Sequence, residues 1–129
     1  MISKLSHAGV LVLDQNSAKQ FYTETLGFTV RNDVEMGADF AGAGQGFRWL
    51  TVSPPGQQDL EFILAAPEMG HDEETARQLR DLVAKGAFGG GVWQTDDCRK
   101  DLRRAVPAWC DVRARAGRAP VRRRSRVSR

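Results

Sequence analysis

The spacing of hydrophobic residues changes near the start of the chain. From Leu5 to Leu13, small and apolar residues occupy most of both the odd-numbered and the even-numbered positions. Because these two sets point to opposite faces of a strand, the pattern predicts a strand buried on both faces. After Asp14, apolar residues recur every three or four positions until Gly27, and this period predicts a helix over about 16–26. The chain therefore begins with a strand followed by a helix.

Three more strand patterns follow, each bounded by turn-forming residues. They cover residues 28–35, 47–53 and 59–65, with the glycine-rich AGAGQG before the second and Pro54-Pro55-Gly56 before the third. Residues 67–86 then combine an acidic start, one apolar stripe and Lys85-Gly86 at the end, which predicts a linking helix. The predicted order is β-α-β-β-β followed by a helix.

The pattern then starts again. Residues 88–95 repeat the first strand, and Asp96-Asp97 take the helix-start position that Asp14 has after the first strand. We therefore expect one α+β domain over residues 1–103, built from a βαβββ module and the start of a second. Its parts are module one at 1–66, the linking helix at 67–86 and the start of module two at 87–103.

Charge divides the chain at about the same place. Residues 1–102 carry nine Lys and Arg against 15 Asp and Glu, whereas 103–129 carry ten Arg against Asp111 alone, so the net charge of +3 hides two regions of opposite sign. A basic tail on an acidic domain is typical of a nucleic-acid-binding arm. This tail has no aromatic interleaving beyond Trp109 and no helix or strand pattern, so we expect no specific nucleic-acid partner.

The sequence has no feature of a membrane or exported protein. No window approaches about 18 uncharged apolar residues, and the start MISKLSHAGV lacks the basic and apolar regions of a secretory signal. Cys98 and Cys110 form neither a disulfide framework nor a CxxC motif. We therefore expect a cytoplasmic protein with no membrane partner.

Three segments resemble the glyoxalase/bleomycin resistance/dioxygenase (vicinal oxygen chelate) superfamily. SHAGVLVLDQNSAKQFYTETLGF is similar to its first strand and helix, DLEFILAAP to its fourth strand, and GGGVWQTDDCRK to the opening of its second module. The segments stand in the family's order, and the resemblance extends over residues 1–103, about four-fifths of the chain. The resemblance implies tandem βαβββ modules that form a half-open barrel, here with the second module incomplete.

The resemblance also implies a metal site. In metal-using members the first strand supplies a histidine and the fourth a glutamate, and the matching positions are His7 and Glu61. They would hold Zn, Ni, Mn or Fe(II), with Glu61 as a catalytic residue of a metal-dependent lyase, isomerase or dioxygenase. The alternation points Glu61 to the other face of its strand from Leu60, Phe62 and Leu64. A carboxylate that rises from a mostly apolar strand needs a cation or hydrogen-bond donors to offset the loss of its hydration.

The second module departs from this pattern. Where another histidine should stand, the chain has Gly89-Gly90-Gly91. Because two protein ligands rarely hold a divalent ion, a metal-free cavity for a drug-like molecule, as in bleomycin-resistance proteins, is an equal alternative. Arg48, Trp49, Trp93 and Gln94 are candidates for lining this cavity.

Residues 104–129 do not continue the fold. They are almost entirely Arg, Ala, Val, Pro and Gly, as expected of a GC-rich gene read out of frame. Codons can be chosen for them so that reading from the second base gives ELSRRGVTFVQEPAERPYGVEAVF, which would complete a helix and two strands. We therefore interpret 104–129 as a non-homologous, Arg-rich frameshift product, a hypothesis that the nucleotide sequence tests.

An incomplete second module has a consequence for assembly. Without its remaining strands, apolar faces and edges of the first module stay uncovered. We therefore expect poor solubility or a homodimer paired through the first modules, which would bring two His7–Glu61 pairs together. The expected partners are a small-molecule substrate or ligand and a second copy of the chain.

Overall fold

The computed structural model describes residues 1–40, 46–88 and 91–105 and has the predicted order of elements as far as the linking helix. The elements are strand β1 (His7–Leu11), helix α1 (Gln15–Gln20) with a π-helical continuation (Phe21–Thr25), strands β2 (Thr29–Met36), β3 (Phe47–Ser53) and β4 (Glu61–Ala65), and helix α2 (Glu73–Ala84). A further helix, α3, covers residues 98–105. The βαβββ order and the linking helix are confirmed.

The four strands form one mixed sheet in the order β1-β4-β3-β2. β1 and β4 run parallel with His7 opposite Glu61, while β3 is antiparallel to both β4 and β2. The last strand of the module thus lies beside the first, and residues that are distant along the chain become neighbours. The predicted α+β class is confirmed.

One face of the sheet carries the core. Leu50 and Val52 of β3 and Phe62 and Leu64 of β4 are buried against the α1 region. Because side chains alternate along a strand, their sequence neighbours point to the other side of the sheet. We call that side, opposite α1, the open face; it includes His7, Asn32, Trp49, Thr51, Glu61 and Ile63.

Helix α1 is attached to the sheet at its first turn. The helix starts at Asp14, whose carboxylate accepts a 2.9 Å hydrogen bond from the Ser17 backbone N–H. The Gln15 side-chain amide donates to the carbonyl of Arg48 at 3.2 Å and to that of Leu64 at 2.8 Å. β3 and β4 are paired at two positions, so Gln15 joins the two strands beyond their ladder.

The predicted strand over 88–95 is wrong for the residues that the structure describes. Residues 88 and 91–95 form no strand, and the two glycines between them lie outside the described residues. A strand needs a neighbour to satisfy its backbone N–H and C=O groups, and none of the four strands pairs with this segment. Trp93 packs instead on Phe28 and Phe62.

The prediction that the first strand is buried on both faces is also wrong. Within the sheet, β1 pairs with β4 alone and lies at an edge. Its residues are half-buried, and Gly9 is exposed. Ala8 and Val10 pack on the core, while the other side of the strand belongs to the open face.

The last described helix begins where the sequence predicts. The Asp97 carboxylate accepts a 2.9 Å hydrogen bond from the Lys100 backbone N–H, which caps α3. The predicted Arg-rich tail lies, from residue 106 onwards, outside the described residues, so the boundary at 103 stays a prediction. In the described part of the chain, no helix has the length and apolar character needed to cross a membrane.

Candidate functional site

A row of polar side chains crosses the open face of all four strands. His7 lies on β1, Glu61 on β4, Thr51 on β3 and Asn32 on β2. The strand registers align them: His7 is opposite Glu61, and Asn32 is opposite Thr51. Thr51 is opposite Ile63, two residues from Glu61 along β4, so Thr51 and Glu61 are diagonal neighbours on the same face. Cross-strand neighbours of this kind are close enough for direct side-chain contact.

Glu61 is the centre of this row. Its Oε1 accepts 2.7 Å hydrogen bonds from both the Thr51 hydroxyl and the Asn32 amide. Its Oε2 lies 3.2 Å from Nε2 of His7. A proton on Nε2 lets His7 donate to Glu61 while Nδ1 accepts from the Ser6 hydroxyl, which lies 2.9 Å away.

These contacts keep Glu61 ionised. The hydrogen bond from Thr51 lowers the pKa of Glu61 most, the bond from Asn32 and the charges of His7 and Arg31 lower it further, and partial burial acts in the opposite direction. The Glu61 side chain is 20% exposed. Glu61 is therefore a preformed acceptor for a hydrogen-bond donor or a cation, whereas a lowered pKa makes it a weaker general base.

Trp49 lies beside this row. Its ring centroid is 5.8 Å from that of His7, and the two rings are tilted by 47°. Trp49 is half-buried, and the His7 side chain is 36% exposed. An aromatic plane, an imidazole and a carboxylate thus meet on the open face.

The other predicted cavity residues lie elsewhere. Arg48 faces the α1 side, where its guanidinium bonds both carboxylate oxygens of Asp33, at 2.7 and 2.9 Å, and the side-chain oxygen of Asn16 at 2.6 Å. This pairing holds the pKa of Asp33 well below its usual range and raises that of Arg48. Arg48 therefore connects β2, β3 and α1.

Trp93 also lies on the α1 side of the sheet. Its ring packs edge-on against Phe62, with centroids 4.9 Å apart, and against Phe28 at 5.2 Å. Gln94 is exposed and makes no hydrogen bond with the described residues. Of the four candidates, Trp49 is the one that the structure brings to His7 and Glu61.

Asn32 and Thr51 were not identified from the sequence. The signal was present for Asn32, because the polar run Arg31-Asn32-Asp33 interrupts the alternation of β2. β2 and β3 change register at this point, where Val30 is opposite Val52 but Asn32 is opposite Thr51. Thr51 reads as an ordinary strand residue, and its role depends on a neighbour from another strand.

The described residues of one chain do not complete a metal site. His7 and Glu61 have the right ligand chemistry for a divalent ion, but within residues 1–40, 46–88 and 91–105 no group of three His, Cys, Asp or Glu side chains converges. A resident ion normally has at least three protein ligands. The described residues of one chain therefore supply two of the ligands that such a site needs.

A separate cavity of about 850 Å³ lies at the start of α2. Its lining is largely charged and comprises Glu68, His71, Asp72, Glu73, Glu74, Ala76, Arg77 and Arg80. Arg80 pairs with Glu68 and Arg77 with Glu74, and His71 bonds the Pro67 carbonyl. The cavity is therefore a feature of the α2 surface in which the arginines and the histidine already have partners, and neither His7 nor Glu61 lines it.

The chain is similar to several known proteins. A family model described as "Glyoxalase/Bleomycin resistance protein/Dioxygenase superfamily" matches residues 4–125. Two uncharacterized proteins of Bacillus subtilis (strain 168) also match: YurT is 29% identical over 78% of this chain and 71% of its own length, and YetH is 38% identical over 57% and 56%.

Two solved structures are similar in sequence and in fold. UcmS2 is 43% identical, with a TM-score of 0.70 over 84% of this chain and 76% of its own. TnmS3, an antibiotic binding protein from Streptomyces sp. CB03234, is 31% identical, with a TM-score of 0.52 over 82% and 70%. Sequence and structural comparisons thus indicate the same kind of domain.

Proposed function

Because the chain belongs to the Glyoxalase/Bleomycin resistance protein/Dioxygenase superfamily, we propose that it binds an aromatic small molecule on its open face without transforming it. The observation that carries this proposal is the meeting of Trp49 with the His7–Glu61 pair on one side of the sheet. A flat apolar ring beside a few fixed polar groups is typical of small-molecule sites.

Each group has a distinct part in binding. Trp49 stacks on the ligand ring, a contact that contributes about 0.5–1.5 kcal/mol beyond the area it buries. The free side of Glu61 Oε2 accepts a hydrogen bond from a hydroxyl or amine of the ligand, because Oε1 is already occupied by Thr51 and Asn32. His7 orients that carboxylate and borders the stacked ring.

Two findings support a binding role. Hydrogen bonds from Thr51 and Asn32 hold Glu61 as an acceptor and lower its pKa. TnmS3, which is similar in fold and sequence, is an antibiotic binding protein. A binding role for this chain agrees with both.

The test is a titration of the full chain with 1-pyrenebutanol and with a panel of aromatic antibiotics. Binding is measured by quenching of tryptophan fluorescence and by calorimetry. At about −0.3 kcal/mol per ligand atom, a molecule of this size should bind with a Kd of about 20 μM. Trp49→Leu should weaken binding about tenfold. Trp93→Leu is the matched control, because Trp93 packs on the core side and its loss should lower stability but not affinity.

Equal loss of affinity in both tryptophan variants, or no binding of any probe, contradicts the proposal. Turnover of a bound compound would also contradict it, because the site would then be catalytic. Retained binding in Glu61→Gln, with only the hydroxyl-bearing ligands weakened, would support the hydrogen-bonding role of Glu61.

A second candidate function is supported by the convergence of His7 Nε2 and Glu61 Oε2 at 3.2 Å. Two copies of the chain, paired through their first modules, would supply four ligands from two such pairs. A Zn, Ni, Mn or Fe(II) ion there would act as a Lewis acid on two oxygens of a substrate, as in a lyase, isomerase or dioxygenase. In this arrangement Thr51 and Asn32 hold Glu61 in position.

Metal analysis combined with light scattering tests this second candidate. It predicts one ion per two chains in a homodimer, lost in His7→Ala and Glu61→Ala. Trp49→Leu serves as the control, since it leaves both ligands in place. A monomeric chain, or a dimer that takes up no ion from a solution of each metal, contradicts it.

A further inference from the structure

Arg31 is placed on the open face by an irregularity in β2. Val30 packs on the core and is opposite Val52, so regular alternation places the next residue on the open face. Asn32 is nevertheless also on the open face, opposite Thr51, because β2 contains one extra residue here. This β-bulge puts Arg31 and Asn32 side by side on the same side of the sheet.

The contacts of Arg31 agree with this placement. Its Nη1 donates to the Gln58 carbonyl at 2.6 Å and to the Gln58 side chain at 3.2 Å, and it lies 3.5 Å from the hydroxyl of Ser53, which is on the open face. Its charge also lowers the pKa of Glu61. Arg31 is therefore held near the polar row by the turn between β3 and β4.

Within the residues that the structure describes, no ion pair neutralises the charge of Arg31. Among the described residues, the cation–carboxylate pairs involve His7, Lys19, Arg48, Arg77 and Arg80, and Arg31 is in none of them. Its contacts with Gln58 and Ser53 use Nη1, and the described residues offer no acceptor to Nη2 or Nε. A guanidinium with free donors is suited to bind a carboxylate or another planar anion.

We propose that Arg31 selects ligands whose aromatic part carries an anionic group. This inference rests on the proposed function, because it assumes that the ring stacks on Trp49. The Arg31 guanidinium lies beside Ser53, and from Trp49 to Ser53 β3 spans about 13 Å, the distance that the ring and its arm have to bridge. The ligand class is thus a flat ring system with an acidic group on an arm of a few atoms.

Glu61 lies between the two contact points and does not prevent anion binding. Its Oε1 is covered by the Thr51 and Asn32 donors, and its Oε2 faces His7. The anion is bound on the far side of Asn32, towards Gln58. The geometry therefore separates a donor-binding position at Glu61 from an anion-binding position at Arg31.

The experiment compares 1-pyrenebutyrate with 1-pyrenebutanol, which share ring and arm and differ in the charged end. We expect the full chain to bind the acid about tenfold more tightly than the alcohol, with a difference that shrinks as salt is raised. Arg31→Gln should abolish the difference by weakening the acid alone, and Arg31→Lys should retain part of it. Arg77→Gln, the same charge change on α2, should leave both affinities unchanged.

The outcomes separate this inference from the function on which it rests. Binding of both probes that depends on Trp49 but shows equal affinity for acid and alcohol overturns the role of Arg31 and leaves the proposed function standing. An acid preference that survives in Arg31→Gln also overturns it. Binding that is insensitive to Trp49→Leu, or no binding, overturns the proposed function and this inference together.

Discussion

Replacing Thr51 by Val tests how much the hydrogen-bonded row contributes to the fold. Thr51 is fully buried, and its hydroxyl donates at 2.7 Å to Glu61, so Val keeps the shape and removes the donor. A hydrogen bond to a charged group contributes about 1.5–3 kcal/mol to stability. Because Glu61 is 20% exposed and keeps the Asn32 donor, we expect a loss of about 1–2 kcal/mol in the free energy of unfolding at neutral pH.

The loss should depend on pH in a defined direction. The folded-state pKa of Glu61 is lowered, so its stabilising effect is present above the unfolded pKa of about 4.3 and is lost as pH falls through the folded value. Removing the Thr51 donor, the largest cause of the lowered pKa, reduces this effect. The difference between the wild type and Thr51→Val should therefore narrow below about pH 4, towards about 0.5 kcal/mol.

Urea unfolding at about pH 7 and about pH 2.5, monitored by circular dichroism, measures this difference, because the lower value lies below the pH at which the narrowing begins. Thr51→Ser is the control, because it keeps the hydroxyl and should keep the pH dependence of the wild type. The other carboxylates are present in the wild type and in both variants, so their contributions to the pH dependence of the free energy of unfolding cancel in the comparison. A loss of equal size at both pH values, or none at pH 7, would refute the reasoning.

Three further predictions concern the core and the α1 side. Burial raises the pKa of Tyr22, the single tyrosine of the chain, to about 12. The free energy of unfolding should therefore be unaffected by Tyr22 below about pH 10 and should fall as the pH rises towards about 12. Tyrosinate absorbance in the folded chain near pH 10 would contradict this prediction. Asp33→Asn should lower the free energy of unfolding by about 1–2 kcal/mol above about pH 4, because it weakens the contact with Arg48. This loss of stability should vanish as the pH falls through the lowered pKa of Asp33. Urea unfolding at several pH values tests both expectations. Trp93→Ala should lower the free energy of unfolding by about 2 kcal/mol, because the ring covers Phe62 but is itself 38% exposed; unchanged thermal unfolding would show that segment 91–95 does not cover the core.

Local features of the chain were predictable from the sequence. The two-residue and three-to-four-residue periods identified all four strands of the sheet and the helices α1 and α2, and Asp14 and Asp97 cap α1 and α3 as their residue type predicts. The resemblance implied that His7 of the first strand and Glu61 of the fourth ligate one metal; the structure places the two side chains next to each other, and their role as ligands stays a prediction. The elements and caps could be inferred because they depend on residues close in sequence.

The failed prediction over 88–95 has a different origin. The alternation in that segment is compatible with a strand, but a strand forms only where a neighbour offers backbone partners. The described sheet offers none to this segment, and burial of the Trp93 ring on Phe28 and Phe62 stabilises another conformation. The strand propensity of the sequence does not take into account the competition between pairing in a sheet and burial of the Trp93 ring.

The sequence by itself determined the order of the elements, their caps and which residues share a side of each regular strand. The tertiary structure decided which side meets α1, and therefore that Arg48 and Trp93 belong to the core side while Trp49 joins His7 and Glu61. It also decided the position of the bulge that puts Arg31 and Asn32 on one side. The physical reason is that alternation fixes only relative orientation within a strand, whereas the choice of face and the phase after a bulge depend on contacts between distant segments.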